Sequence, residues 1–144
     1  LEPVVFRFFN VYGPRQDPSS PYSGVISIFS ERAVNRLPIT IFGDGEQTRD
    51  FIYVGDLVGI LVQAIEAPQV EEGAINVGLN KATTLKQMLE ALSEVVGELP
   101  PISYGPARPG DIRHSRADNS RLLQRFTLDE TTPMNIGLTH LLGR

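Results

Sequence analysis

Two kinds of hydrophobic spacing follow each other along this chain and predict alternating strands and helices. Short runs rich in β-branched and aromatic residues predict strands at 4–9, 39–42, 74–77 and 102–104. Apolar residues three and four positions apart predict helices at 25–37, 54–65, 85–96, 119–126 and 135–142. The alternation is typical of an α/β fold, with strands too scattered for a complete doubly wound sheet.

Local signals predict where several of these elements begin and end. Thr84 stands immediately before the most strongly amphipathic segment, which stops at Gly97. Asp56 is predicted to cap the helix at 54–65. The stretch 13–24 is dense in Gly, Pro, Asp and Ser and is therefore predicted to be a loop.

Composition limits the classes of function. The 144 residues are 41% hydrophobic and 21% charged, which suits one ordinary domain with a modest core. A net charge of −4 argues against a nucleic-acid or membrane surface, although the arginines leave room for local anion clamps. No apolar run reaches the about 18 residues that a membrane helix needs, and the first residues do not resemble a signal peptide. We therefore expect a cytoplasmic protein.

The chain offers few metal ligands. It contains no cysteine, which excludes disulfides and thiolate metal sites. His114 and His140 are the two histidines, so a histidine-rich metal site is not expected. Because the sequence begins with Leu1 rather than an initiator methionine, we expect it to derive from a longer protein.

Three polar motifs stand where an apolar run gives way to a loop. The first, R-F-F-N-V-Y-G-P-R-Q at 7–16, places Asn10 at the end of a predicted strand. Open α/β sheets bind ligands beyond the carboxyl ends of their strands, so Asn10 is a candidate ligand contact. The alternative is an ordinary strand end followed by an asparagine turn.

The second motif, I-F-G-D-G-E-Q-T-R-D-F-I-Y-V-G-D, occupies 41–56. Its two glycines permit a tight turn that sends the chain back on itself. Arg49 follows that turn, and its forked guanidinium suits a diphosphate. The alternative is a surface ion pair between Arg49 and either Asp50 or Asp56.

The third motif, A-R-P-G-D-I-R-H-S at 107–115, carries a cation and an anion on either side of a Pro-Gly turn. Arg108 would bind phosphate, and Asp111 would bind ribose hydroxyls. Such pairs are also common on protein surfaces, so this motif alone is weak.

Taken together, the three motifs resemble the C-terminal half of the extended short-chain dehydrogenases/reductases, specifically the NAD-dependent epimerase/dehydratase family. Within that family the chain is similar to UDP-glucose and UDP-N-acetylglucosamine 4-epimerases from Val4 to about Leu123. The resemblance implies the last strand of a Rossmann-type sheet followed by a small substrate-binding α/β subdomain. Residues 1–144 would then form a single nucleotide-sugar binding domain, with the N-terminal NAD-binding domain absent.

The resemblance also implies individual roles. Asn10 matches a residue that contacts the nucleotide-sugar diphosphate, while Arg49 matches the diphosphate clamp. Gly24 and Val25 match a helix start that meets a phosphate. Thr40 and Phe42 match a strand that pairs with and stacks on uracil. Arg108 and Asp111 match the contacts to phosphate and ribose. Phe8 and Phe9 match residues that line the nicotinamide and sugar pocket.

The catalytic parts of such enzymes are missing from the sequence. The reaction needs a Tyr-x-x-x-Lys pair and a glycine-rich turn for NAD, and neither pattern occurs here. The fragment alone is therefore expected to be catalytically inactive and to bind NAD weakly or not at all, NAD being the cofactor of the full-length parent.

Several alternatives stay open. The parent could be a nucleotide-sugar dehydratase or decarboxylase of the same family rather than a 4-epimerase. The chain could instead be a non-catalytic nucleotide-binding module. It could also be an interaction domain: without neighbouring strands, the segment at 4–9 leaves an unpaired edge, so self-association or a homodimer is expected.

Overall fold

The computed structural model describes residues 4–20, 24–67 and 73–144. Pro21, Tyr22 and Ser23 of the predicted loop lie outside these ranges. The elements run in the order β1 (Phe6–Phe8), β2 (Asn10–Tyr12), α1 (Val25–Val34), β3 (Ile39–Phe42), β4 (Thr48–Arg49), β5 (Phe51–Tyr53), α2 (Val54–Glu66), β6 (Ile75–Val77), β7 (Thr83–Thr84), α3 (Leu85–Val96), β8 (Ile102–Gly105), α4 (Ser120–Arg125) and α5 (Met134–Leu141). The α/β class predicted from the spacing is confirmed.

The strands form four separate pairs rather than one wide sheet. Three pairs are parallel, β1 with β6, β2 with β5 and β3 with β8, whereas β4 and β7 are antiparallel. The three parallel pairs are contacted by helices, α1 on β3, α2 on β2 and β5, and α4 on β6, as buried parallel strands require. The prediction of a scattered, incomplete sheet therefore agrees with the described residues.

The strand predicted at 4–9 is confirmed only in part, as β1 at Phe6–Phe8, because the chain changes partners within the first motif. The backbone N–H of Phe9 still donates to Val77, the last residue of β6, while the N–H of Asn10 donates to Asp50, the residue before β5. Two short strands with different neighbours result. Asn10 thus begins β2 at the point where the chain leaves β1.

Asp56 does not cap α2, contrary to the sequence prediction. The helix begins at Val54 with Tyr53 in the N-cap position. The Asp56 carboxylate instead accepts hydrogen bonds from the backbone N–H and the hydroxyl of Thr132, at 2.9 and 2.7 Å. It therefore joins α2 to the segment that leads into α5.

The predicted start and end of α3 are confirmed. The Thr84 hydroxyl accepts a hydrogen bond from the N–H of Gln87, whose side chain accepts from the N–H of Thr84. This reciprocal pair is a capping box. Gly97 ends the helix with a φ of 80°, a conformation that glycine adopts without strain.

Two hydrophobic cores lie in the described part of the chain. The first joins α1, β3, α3 and α5 through residues that include Ile26, Phe29, Ile39, Ile41, Met88, Leu92 and Leu138. The second joins β5, α2, β6 and α4 through Ile52, Leu57, Ile60, Ile75, Val77, Leu122 and Phe126. None of the helices in the described ranges is both long and apolar enough to cross a lipid bilayer.

Candidate functional site

A single cleft of about 670 Å³ collects residues from all three polar motifs. It lies between α1 and β3, and the loop at 108–111 closes one side. Its lining includes every residue matched above to substrate binding: Asn10, Gly24, Val25, Thr40, Phe42, Arg49, Arg108 and Asp111. A concave space of this volume is of the size that holds small-molecule ligands.

The amide of Asn10 is held in one orientation. Both its backbone N–H and its side-chain Nδ2 donate to the carbonyl oxygen of Asp50, at 3.0 and 3.2 Å. One Nδ2 bond fixes the amide plane and leaves a second N–H and the Oδ1 atom for other partners. The change of strand partner at Asn10 is therefore what positions this side chain in the cleft.

Arg49 is fixed by three acceptors. Nη1 donates to the carbonyl oxygens of Thr48 and Ile112, at 2.9 and 2.5 Å. Nη2 lies 2.7 Å from Oδ1 of Asp111, and the Arg49 side chain is only 17% exposed. A guanidinium held in this way presents its remaining donors to a ligand at little cost in side-chain entropy.

The suggested pairing of Arg49 with Asp50 or Asp56 is wrong. The fully buried Asp50 carboxylate accepts from the backbone N–H groups of Leu79 and Ala117, both at 2.9 Å. Asp56 is engaged by the segment before α5, as described above. Asp111, from the third motif, is the acidic partner of Arg49.

Arg108 and Asp111 share a turn but point to different partners. The N–H of Asp111 donates to the carbonyl of Arg108, and Gly110 adopts a φ of 80°. The guanidinium carbon of Arg108 lies 3.8 Å from the ring centroid of Phe42, a cation–π contact. The sequence had suggested a common surface pair, whereas the tertiary structure directs both side chains into the cleft.

The glycine turn predicted in the second motif connects β3 to β4. Gly43 and Gly45 adopt φ values of 93° and 78°. Nε2 of Gln47 donates to the carbonyl of Phe42 at 2.6 Å and closes the turn. The Arg113 guanidinium of the third motif lies 2.7 Å from the Asp44 carboxylate, and this ion pair joins the turn to that motif. The guanidinium also lowers the pKa of the Asp44 carboxyl.

The N-terminus of α1 opens into the cleft at Gly24 and Val25. The first backbone N–H groups of a helix have no acceptor within the helix and carry partial positive charge. No acidic side chain occupies the first turn of α1. This helix end is therefore suited to an anion.

The described lining of the cleft is positively charged although the chain as a whole is negative. Arg32, Arg49 and Arg108 are opposed by Asp111 alone, which gives a formal charge of +2. The whole chain has a net charge of −4. A local surplus of this sign attracts a doubly charged anion such as a diphosphate diester.

Phe8 and Phe9 do not line the cleft in the described structure. Phe8 is 49% exposed, and its ring stacks on Phe6 at 6.3 Å between centroids. Their match to nicotinamide-lining residues stays a prediction.

Two polar side chains of the cleft were missed by the sequence analysis. Arg32 and Gln47 both contribute to the lining. Arg32 was detectable in principle, because it continues the three-and-four spacing of Val25, Ile28 and Phe29 on one face of α1. Gln47 carried no comparable signal.

Neither histidine belongs to a metal-binding group in the described ranges, where no cluster of three His, Cys, Asp or Glu side chains is suited to a metal ion. Nδ1 of His114 lies 3.2 Å from the Thr48 hydroxyl. Nδ1 of His140 lies 3.0 Å from the Tyr53 hydroxyl. Each ring therefore forms a hydrogen bond with a hydroxyl group of this chain.

Comparison with known proteins gives a consistent result. The model of the NAD dependent epimerase/dehydratase family matches residues 1–78. A UDP-glucose 4-epimerase of Mycolicibacterium smegmatis is 41% identical over 112 residues, which are 78% of this chain and 35% of that protein. UDP-glucuronic acid decarboxylase 1 of Arabidopsis thaliana is 30% identical over 143 residues, 99% of this chain and 32% of its own length.

Solved structures show the same similarity. The UDP-glucose 4-epimerase of Thermotoga maritima, crystallised with UDP-glucose, superposes with a TM-score of 0.86 at 34% identity, covering 97% of this chain and 44% of that one. The UDP-N-acetylglucosamine 4-epimerase of Methanobrevibacter ruminantium gives 0.83 at 39% identity, covering 94% and 44%. The chain therefore spans less than half the length of these relatives. Since the family model covers more than half of this chain, the chain belongs to the NAD dependent epimerase/dehydratase family.

Proposed function

We propose that the cleft binds a UDP-sugar, and that this chain is the C-terminal, substrate-binding part of an NAD-dependent nucleotide-sugar 4-epimerase. The observation that carries the proposal is the convergence of all the matched substrate residues on one cleft with a formal charge of +2. These residues come from segments more than 100 positions apart in the sequence, from Asn10 to Asp111.

The diphosphate is assigned to the end of the cleft formed by the start of α1, Asn10 and Arg49. The helix start supplies backbone N–H groups that have no acceptor in a preceding helical turn, and Asn10 supplies a fixed amide. Arg49 supplies a guanidinium that is already held in place. Asp111, next to Arg49, is an acceptor for ribose hydroxyls, and Arg108 is a second cation for phosphate.

The base is assigned to the edge of β3. The N–H groups of Ile39 and Gly43 donate to Pro101 and Gly105 on the side of β8. Peptide groups alternate in direction along a strand, so those of Thr40 and Phe42 face the opposite edge. The carbonyl of Thr40 and the N–H of Phe42 are then adjacent, an acceptor and a donor that match N3–H and a carbonyl oxygen of uracil.

The cofactor is assigned to another part of the enzyme. Family members are NAD dependent, but this chain has no glycine-rich dinucleotide turn and no Tyr-x-x-x-Lys pair. The described residues therefore do not fit NAD by themselves. When bound in the whole enzyme, NAD would accept and return the hydride, whereas the residues of this chain would hold the nucleotide and orient the sugar.

Isothermal titration of the 144-residue chain tests the binding proposal. We expect UDP-glucose to bind and NAD to bind weakly or not at all. Absence of UDP-glucose binding would contradict the proposal and favour an interaction domain, while micromolar NAD binding would contradict the division of roles. Arg49→Met is the matched variant, because it keeps the length of the side chain but removes its charge.

Addition of the cofactor half tests the enzymatic part. The chain alone should not interconvert UDP-glucose and UDP-galactose, whereas a polypeptide that also carries the glycine-rich turn and Tyr-x-x-x-Lys should. The similarity to a UDP-glucuronic acid decarboxylase over 99% of this chain makes decarboxylation the second candidate. Release of CO₂ from UDP-glucuronic acid by the completed enzyme would favour it.

A further inference from the structure

Arg32 lies at the opposite end of the cleft from the start of α1. Val25, Ile28, Phe29 and Arg32 all line the cleft and follow helical spacing, so one face of α1 forms a wall. Seven residues of helix advance about 10 Å between Val25 and Arg32. The wall therefore has a helix N-terminus at one end and a guanidinium at the other.

The position of Arg32 relative to β3 is fixed by a hydrogen bond. Its Nη1 donates to the carbonyl oxygen of Pro38, the residue before β3, at 2.8 Å. The backbone of Leu37 also donates to the carbonyl of Arg32, which folds the chain back from α1 into β3. Along β3 the cleft thus presents Arg32 beside Pro38, then Thr40, and then Phe42 under Arg108.

This order separates Arg32 from the diphosphate contacts. Arg49 is held by Thr48, Ile112 and Asp111, at the other end of the β3–β4 turn. Arg32 is exposed, and its bond to Pro38 uses one of the five N–H donors of the guanidinium. The remaining donors are available to an acceptor that lies on the Pro38 side of Thr40.

We propose that Arg32 reads the nucleobase and selects a base with a carbonyl oxygen at its outer edge. The inference rests on the proposed function, in which the edge of β3 at Thr40 and Phe42 holds the imide of the base. An imide carries a carbonyl oxygen on each side of its N–H. If one carbonyl meets the N–H of Phe42, the other points back toward Pro38, where Arg32 supplies donors.

The chemistry of the donor sets the selectivity. A guanidinium only donates hydrogen bonds, so it favours the carbonyl oxygens of uracil or thymine. The C2 carbonyl lies beside the ribose and so toward the diphosphate end, which leaves the C4 position facing Arg32. Cytosine carries an amino group at C4, which is itself a donor and is repelled. Arg32 is therefore a specificity residue for keto pyrimidines, in addition to the strand-edge contacts.

Titrations of UDP, CDP and inorganic pyrophosphate test this role. Arg32→Met keeps the apolar stem on α1 but removes every donor. We expect this variant to lose about tenfold in affinity for UDP, because a hydrogen bond to a charged group is removed. CDP and pyrophosphate should bind within about threefold of the parent chain, so the preference for UDP over CDP should fall.

Arg36→Met is the matched control. Arg36 lies just after the end of α1, four residues from Arg32. Its Nη1 donates to the carbonyl of Glu98 at 2.6 Å, but it does not line the cleft. This variant should leave all three affinities unchanged. Arg32→Lys, which keeps the charge and can still bond Pro38, should fall between the parent and Arg32→Met, and it decides the question if Arg32→Met fails to fold.

The outcomes separate the two proposals. Unchanged UDP affinity in both Arg32 variants would overturn the role of Arg32, as would an equal loss for UDP, CDP and pyrophosphate, which indicates a general charge effect. Failure of the parent chain to bind UDP or UDP-glucose at all would instead overturn the proposed function.

Discussion

Two regions of the chain contain parallel strand pairs but differ in their polar and apolar contacts. The cleft region contains the pair of β3 and β8, and the β1–α2 region contains the pairs β1–β6 and β2–β5 with α2. Around the cleft, polar side chains bind one another across distant segments, as Arg49 and Asp111 do. In the other region, apolar side chains face solvent, with Val58 and Val62 about half exposed and Ile65 84% exposed along one face of α2. Polar side chains that line the cleft are already bonded within the chain, whereas this face of α2 is suited to a further packing partner.

In the described residues, the free edge of β1 also indicates a missing packing partner. β1 pairs with β6 in the described structure, and a parallel pair normally lies inside a wider sheet with both faces covered. Under the proposed function, the partner would be the cofactor half of the whole enzyme, with its sheet beside β1. Self-association through this region is the expected behaviour when that half is absent.

Asp50 connects the two regions, and its loss should have the largest effect. Replacing it with alanine leaves the buried N–H groups of Leu79 and Ala117 without their acceptor. We expect Asp50→Ala to reduce the free energy of unfolding by about 2–5 kcal/mol, since each orphaned buried donor costs about 1–3 kcal/mol. Urea denaturation measures the change. Asp129→Ala, at an exposed aspartate, should stay within about 0.5 kcal/mol of the parent.

Arg49→Met should damage the cleft while sparing the α2 face. Removal of a preorganised guanidinium should weaken UDP-glucose binding by about 10- to 100-fold, or about 1.5–3 kcal/mol, as expected for a hydrogen bond to a charged group. Titration calorimetry measures the loss. Equal affinity in the variant and the parent would show that the cation is not a diphosphate contact.

Tyr12→Phe should change how the stability of the folded chain depends on pH in the alkaline range. Burial, followed by the nearby Asp56 and Tyr53, raises the pKa of the Tyr12 hydroxyl in the folded state. The folded chain then keeps its proton while the unfolded chain releases it, so stability is complete below about pH 10, the unfolded value, and falls above it. The loss is at most about 1.4 kcal/mol per pH unit.

The phenylalanine variant should therefore lose less stability than the parent between about pH 10 and 11, the range just above the unfolded tyrosine value. Thermal unfolding at several pH values measures this difference. Parallel pH profiles for the two proteins would contradict a perturbed Tyr12.

The smallest effect on folding is expected from the double variant Val58→Glu and Val62→Lys. These positions are four residues apart on the exposed face of α2, so the new charges form a helix pair and stability should change by less than about 0.5 kcal/mol. Self-association should decrease, as measured by light scattering, while UDP-glucose binding should be unchanged. Loss of UDP-glucose binding would show that the two regions are not separate in function.

The helices were predictable because each has its own periodic signal. The spacing from Leu85 to Val96, with Thr84 before it and Gly97 after it, defines α3 without reference to the rest of the chain. The strands β3, β6 and β8 match the runs predicted at 39–42, 74–77 and 102–104, whereas β2, β4, β5 and β7 were not predicted. β4 and β7 contain two residues each and exist because Thr48 and Thr84 pair across 36 positions of sequence.

In the candidate site, too, the residue types were predictable but the contacts between distant residues were not. The three motifs and their order identified the residues of the cleft, but they assigned Arg49 and Asp111 to separate tasks. Their 2.7 Å contact depends on the loop at 108–113 packing beside β4, where Arg49 also donates to Ile112. No local pattern encodes a contact between residues 62 positions apart.

The sequence by itself determined the α/β class, the helices, the glycine turn and the types of side chain that meet a ligand, because these depend on spacing and on the chemistry of single residues. Only the tertiary structure decided that Asn10 starts a new strand, that Asp56 bonds Thr132, and that Arg49 pairs with Asp111. Each of these outcomes is fixed by a partner distant in the sequence, and the energy of such a contact exists only after the chain has folded.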